Sequence, residues 1–240
     1  MQSDQVRLFG PSASLGDVVD RTSGTYFVPE VNAGFPDSQF DPATWSARAD
    51  MPPVLWATLD TGVVQEHPLL KPRIAEASDF TGDDAEDHDG HGSKVALLLV
   101  LEAPFARLLV GKVVGRDAAP FSEQLDRINR GIRWAVKRHA RVLSLSVGVA
   151  SGCSKAAALC QTIRYALDSG LEVLVAAEAR CPAECDERID VIGYLNVRTG
   201  KPSGGAAPDF VVPVTDQPLL IPMLPYGDWF ARLEGRTRLE

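Results

Sequence analysis

From Pro53 onward the chain alternates short, nearly unbroken apolar runs with longer stretches in which apolar residues recur every three or four positions. Residues 54–59, 108–114, 142–147, 173–177 and 191–197 are runs of the first kind. Apolarity without alternation is what a strand covered on both faces shows, so each is predicted to be a buried strand. Residues 123–138 carry Leu125, Ile128, Ile132, Ala135 and Val136 at helical spacing and predict an amphipathic helix. Two more helices are expected, at 93–101 and at 155–169, the latter closed by Gly170. Strands alternating with helices imply right-handed crossovers and a parallel sheet with helices on both faces, a three-layer α/β/α architecture.

Before that region the pattern is absent. Residues 1–50 are rich in Gly, Pro, Ser, Asp and Asn, with scattered aromatics and no sustained period. They are expected to form an irregular N-terminal arm, with the α/β domain occupying 51–240. A late strand is expected at 209–213. Beyond it the tail keeps Leu219, Leu220, Ile221, Leu224, Trp229 and Phe230 among prolines that oppose a long helix. That apolar surface is expected to fill the domain's own interior, with homodimerisation as the secondary outlet.

At 240 residues and 45% hydrophobic content the chain can bury a substantial core. No apolar run reaches the roughly eighteen residues of a membrane span, so no membrane partner is expected. The net charge of -8 argues against nucleic acid, whose phosphates call for clustered Lys and Arg. The first seventeen residues lack the apolar stretch of a secretory signal, which makes a cytoplasmic location the expectation.

In a parallel sheet, chemistry gathers at the carboxyl ends of the strands. Asp60 directly follows the first buried run, and His91 lies in Asp87-His88-Asp89-Gly90-His91-Gly92 at a helix start. A carboxylate that orients an imidazole is two-thirds of a nucleophilic triad. The 31-residue separation leaves room for one loop and a hairpin.

These residues carry a resemblance. Leu59-Asp60-Thr61-Gly62-Val63 with His67-Pro68 is similar to the aspartate motif of the subtilisin-like serine proteases, and Asp89-Gly90-His91-Gly92-Ser93 to their histidine motif. Residues 142–148 resemble the strand that walls the family's substrate cleft, and 170–177 the strand leading to its oxyanion asparagine. The resemblance implies a catalytic Asp60–His91 pair and a peptide cleft lined by Ser144, Ser146, Gly148, Ala177 and Ala179, with no cofactor required. Two departures stand against hydrolysis. The oxyanion position reads Ala176-Ala177-Glu178 with no amide side chain, a loss worth roughly a hundred- to a thousandfold in turnover. The family's Gly-Thr-Ser nucleophile motif does not occur after Val214. Ser203, in Ser203-Gly204-Gly205, is the nearest imitation, but a strand-like run follows where the nucleophile needs a helix.

The leading expectation is therefore a catalytically impaired homologue that binds a peptide or protein partner. The rivals are an active endopeptidase using Ser203 or a nucleophile from a partner chain or a further C-terminal segment, and a peptide-modifying or small-molecule enzyme reusing Asp60 and His91 as acid and base.

Other groups have plainer readings. His67 and His88 are expected to face solvent or a turn. Asp79, Asp83, Asp84, Glu86 and Asp87 suggest calcium, but their spacing fits no ligand pattern and a solvated acidic loop is expected. Glu178 and Arg180 are either an ion pair filling the cleft or ordinary surface charge. Cys153, Cys160, Cys181 and Cys185 follow two neighbouring strands and, by the resemblance, meet at one edge of the cleft. A tetrahedral structural zinc, two disulfides and free thiols all remain open for them.

Overall fold

The computed structural model describes residues 6–8, 19–20, 25–26, 53–103, 105–149, 152–177, 179–196, 201–202 and 210–214. Three two-residue strands open the chain: β1 (Arg7–Leu8), β2 (Val19–Asp20) and β3 (Thr25–Tyr26). The domain follows as β4 (Val54–Asp60), β5 (Ile74–Asp79), α1 (His91–Glu102), β6 (Ala106–Lys112), α2 (Phe121–Lys137), β7 (Val142–Leu145) and β8 (Val147–Gly148). It continues with α3 (Ala157–Asp168), β9 (Glu172–Ala176), the single turn α4 (Arg180–Ala183), β10 (Asp190–Asn196), β11 (Lys201–Pro202) and β12 (Phe210–Val214).

Eight strands form one sheet in the order β11-β10-β9-β7-β4-β6-β5, with β12 also on β10. Every pairing but β10–β11 is parallel. Strand β4 sits at its centre. Its successive side chains point to opposite faces. Ala57 and Leu59 join Leu125, Ile128 and Ile132 of α2 and Leu159 and Ile163 of α3. Trp56 joins Leu97, Leu99 and Val100 of α1 on the other face. The expected three layers are therefore present, and burial on both faces explains why these strands read as unbroken apolar runs. Helix α1 has apolar residues all round because it is buried nearly all round.

Two expectations need correction. No hairpin lies between Asp60 and His91: β5 runs parallel to β6 at the sheet edge. It was invisible as a buried run because only one side is covered, and Glu76 points its carboxylate at Trp134 and Arg138. The run at 142–147 is two strands, broken at Ser146, so that Val147 and Gly148 leave the sheet and pair elsewhere. Within the expected irregular arm, β2 pairs with β3 and β1 pairs with β8. Ser203 and the tail beyond Val214 lie outside the described residues.

Candidate active site

Asp60 is the last residue of β4, and its backbone carbonyl accepts the amides of Val113 and Val114 just past the end of β6. This ties the carboxylate to the two central strands. His91 is the first residue of α1. Its Nδ1 lies 2.6 Å from Asp60 Oδ1, with His91 4% exposed and Asp60 fully buried. A carboxylate only accepts, so Nδ1 carries the proton and donates it. The same Oδ1 accepts the Thr61 amide at 2.8 Å. His91 Nε2 and Asp60 Oδ2 are buried and have no hydrogen-bond partner among the described residues.

The pair is fixed by Asp87, a fully buried carboxylate at the start of α1. Its Oδ1 accepts Thr61 Oγ1 at 2.9 Å, the Gly90 amide at 2.9 Å and the Asp89 amide at 3.0 Å. Its Oδ2 accepts the Ser93 amide at 2.8 Å and Ser93 Oγ at 2.6 Å. Helix N-termini present unpaired amides and a partial positive charge, so a carboxylate here satisfies both. Thr61 Oγ1 in turn accepts the Gly92 amide, and Ser93 Oγ accepts the Val64 amide. Gly92 is required by proximity: a Cβ there would overlap the Gly62 carbonyl oxygen and crowd Asp60 Cβ at 3.1 Å. Any side chain at this position would push α1, and His91 with it, off Asp60.

Burial disfavours the imidazolium, but the charge and hydrogen bond of Asp60, helped by Asp89 and Asp87, outweigh it. The His91 pKa is therefore raised above the ordinary histidine value. The dyad can take a proton at Nε2 and hold it, which is the general-base half of acyl transfer. Among the described residues no hydroxyl reaches Nε2.

The residues expected to line a cleft begin on β7, which pairs with β4. Ser144 on β7 and Ser146 at the break are buried, and their hydroxyls have no partner among the described residues. Gly148 touches the opposite wall: a Cβ on it would overlap the Cys181 carbonyl oxygen and lie 2.8 Å from Ala179 Cβ. The walls are stitched there by Val149 N to Cys181 O at 2.7 Å and Cys181 N to Val149 O at 3.1 Å. Ala177 and Ala179 are fully buried, and the Ala177 amide donates to the Ile192 carbonyl rather than into the cleft. Arg180 pairs with Glu184 at 2.6 Å. Glu178 lies outside the described residues. Strand β1 runs antiparallel to β8, with Arg7 opposite Gly148 and Leu8 opposite Val147.

The histidine and acidic-loop expectations are modified. His67 does sit in a turn, accepting the Leu69 amide on Nδ1, but it is buried rather than solvent-facing. His88 pairs with Asp84 at 3.0 Å. Asp79 closes its own turn by accepting the amides of Thr81, Gly82 and Asp83. Asp83 and Asp84 face the ammonium of Lys112, whose buried side chain also donates to the Glu86 carbonyl at 2.9 Å. Asp87 is the residue the sequence reading misplaced, having assigned it to the solvated loop. The signal that could have found it is an Asp a few residues ahead of a helix whose first turn carries Ser93.

All four cysteine sulfurs come together. They lie within 4.8 Å of one another and form two disulfides, Cys153–Cys181 and Cys160–Cys185, which leaves no free thiol among the four.

Residues 54–180 match the model of the Subtilase family. The chain is 32% identical over 168 residues to the major intracellular serine protease of Bacillus subtilis (strain 168), covering 64% of this chain and 50% of that one. It is also 32% identical over 168 residues to an intracellular serine protease of Paenibacillus polymyxa, covering 64% and 49%. The chain thus spans about half the length of the curated relatives it matches. Among solved structures, the nisin leader peptidase of Lactococcus lactis superposes with a TM-score of 0.58 at 16% identity, over 73% of this chain and 66% of that one. The motifs read from the sequence, the sheet order that carries them and a family match over more than half of the chain agree: it belongs to the subtilase family.

Proposed function

We propose that this chain is a subtilase homologue whose cleft binds an extended peptide segment without hydrolysing it by itself. One observation carries the reading. Strand β8, the wall the resemblance assigns to substrate, already bears an antiparallel strand, Arg7–Leu8, in the manner of a bound peptide. Val6 and Leu8 pack their side chains against the core beneath. Main-chain ladder bonds supply affinity in this mode, and the alternate side chains supply selectivity. The absent oxyanion amide and the missing Gly-Thr-Ser sequence within these 240 residues support the lack of turnover. The same proposal takes the partner to be a peptide or protein, with no cofactor required, and the location to be cytoplasmic, as the names of the two intracellular relatives suggest.

A second reading has its own observation. The buried, unpartnered Nε2 of His91 is what a base awaiting a hydroxyl looks like, and it favours an endopeptidase whose nucleophile is Ser203 or comes from outside these residues.

Fluorescence anisotropy with an extended apolar peptide separates the two. Leu8→Asp places a charge where an apolar side chain is packed, and should release β1 and strengthen peptide binding with the peptide recovered intact. No gain in binding would sink the proposal. Cleavage that disappears in His91→Ala would establish the endopeptidase.

A further inference from the structure

The four cysteines hold a feature that neither the dyad nor the peptide cleft uses. Cys153 lies in a 3-10 turn just past β8, and Cys160 is in the first turn of α3. Cys181 and Cys185 lie in and just after α4, which follows β9. Two loops from neighbouring strands thus contribute two sulfurs each. Across the two pairs, Cys153 Sγ is 3.5 Å from Cys185 Sγ, and Cys181 Sγ is 3.8 Å from Cys185 Sγ. A tetrahedral zinc with Zn–S bonds of about 2.3 Å separates its sulfurs by about 3.8 Å. These cross-pair spacings match such a centre, whereas the sulfurs bonded as Cys153–Cys181 and Cys160–Cys185 reach it only once both disulfides are reduced and each pair opens to about 3.8 Å.

Bonds that involve no sulfur hold it there. Cys181 is fixed by its two-way backbone bridge to Val149. The carbonyl of Cys185 accepts Arg164 Nη2, from α3, at 2.6 Å. Asp186, next in the chain, is gripped by Arg188 and helped by Arg164, which pull its pKa down to about 2. Arg188 also reaches Asp168 at 2.8 Å. These bonds tie the two segments together in addition to the disulfides.

We propose that the reduced chain binds one zinc ion through Cys153, Cys160, Cys181 and Cys185, pinning the loop after β8 to the loop after β9 behind the cleft. A thiol reductant first supplies four electrons and four protons to cleave both disulfides into four thiols; zinc binding then converts these to thiolates and releases four protons to solvent, leaving a centre of charge -2 near Arg164, which already reaches the Cys185 carbonyl. The metal is structural: four protein ligands leave no open position for chemistry. The proposal is independent of whether the cleft binds or cleaves peptide.

The test uses the full chain purified under reductant without chelator. Metal analysis should give one zinc per chain, released by a thiol-blocking mercurial. Exchange with Co2+ should produce the visible bands of a tetrahedral cobalt ion and a sulfur-to-cobalt charge-transfer intensity equal to four thiolates. Cys153→Ser, at the least buried of the four positions, should bind Co2+ on the order of a hundredfold more weakly. A reduced wild-type chain that is metal-free with four titratable thiols, or a cobalt spectrum showing fewer than four thiolates, would overturn it. So would equal Co2+ affinity in Cys153→Ser. Because the spectrum is read on the wild-type chain, the proposal stays testable even if the variant fails to fold.

Discussion

Replacing Asp87 by Ala removes a carboxylate that accepts five donors at full burial. The hydroxyls of Thr61 and Ser93 can rotate, and the Asp89 amide lies close enough to solvent to find water. The amides of Gly90 and Ser93 have no such recourse, because Gly90 and Ser93 are themselves buried. Each stranded buried donor costs about 1–3 kcal/mol. The sum is about 2–6 kcal/mol, with partial relief if water enters the space left by the carboxylate. In a domain of this size 1 kcal/mol moves Tm by about 2–4 °C. Asp87→Ala should therefore lower Tm by about 4–24 °C, or fail to fold if the total stability lies near the lower end of the usual range of about 5–15 kcal/mol. Asp126→Ala serves as the control. Its carboxylate makes only an exposed pair with Arg130 at 2.8 Å, worth about 0.3–0.5 kcal/mol, and Tm should move by no more than about 2 °C. Differential scanning calorimetry of the two variants decides the matter. If Asp87→Ala melts within about 3 °C of wild type, the carboxylate is not what holds the helix start, and the account of how His91 is positioned is wrong.

Other consequences are testable in the same preparations. The raised His91 pKa makes the His91–Asp60 pair a source of stability that is fully present below the unfolded value near 6.5 and lost as pH rises through the folded value. The Tm gap between wild type and His91→Gln should accordingly narrow as pH rises above about 6.5, and a gap that widens would contradict the assigned direction. Gly92→Ala should cost about 1–3 kcal/mol through the overlap with Gly62 and return the His91 pKa, followed by NMR titration, toward the ordinary value. Gly148→Ala should force β8 away from the Cys181 carbonyl and destabilise by a similar amount, while a neutral result would mean that the two are not in contact in solution.

The sequence disclosed most where burial was symmetrical. Strands β4, β6, β7, β9 and β10 announce themselves because both faces are covered, and the 3.6-residue spacing of α2 reflects one covered face. Boundaries moved by two residues where a strand's apolar run continues as a loop: Val113 and Val114 lie beyond β6 and turn their amides to Asp60. The edge strand β5 was not legible, since Glu76 and Ser78 interrupt it and Arg138 answers Glu76 from a different element. Asp60 and His91 could be located from local motifs, because each motif is contiguous. The place of Asp87 ahead of a helix start is legible in the same way, but its full burial is not, because that depends on Thr61, which lies 26 residues earlier. Nor could the pairing of β1 with β8, a contact across most of the domain that leaves no trace in two residues.

The central claim is that this chain holds the subtilase acid–base pair without completing the nucleophile. Incubating the full chain with a fluorophosphonate probe, followed by intact mass and peptide mapping, measures that directly. The account predicts no adduct beyond that of His91→Ala. A stoichiometric adduct on a serine, Ser203 included, that vanishes in His91→Ala would contradict it.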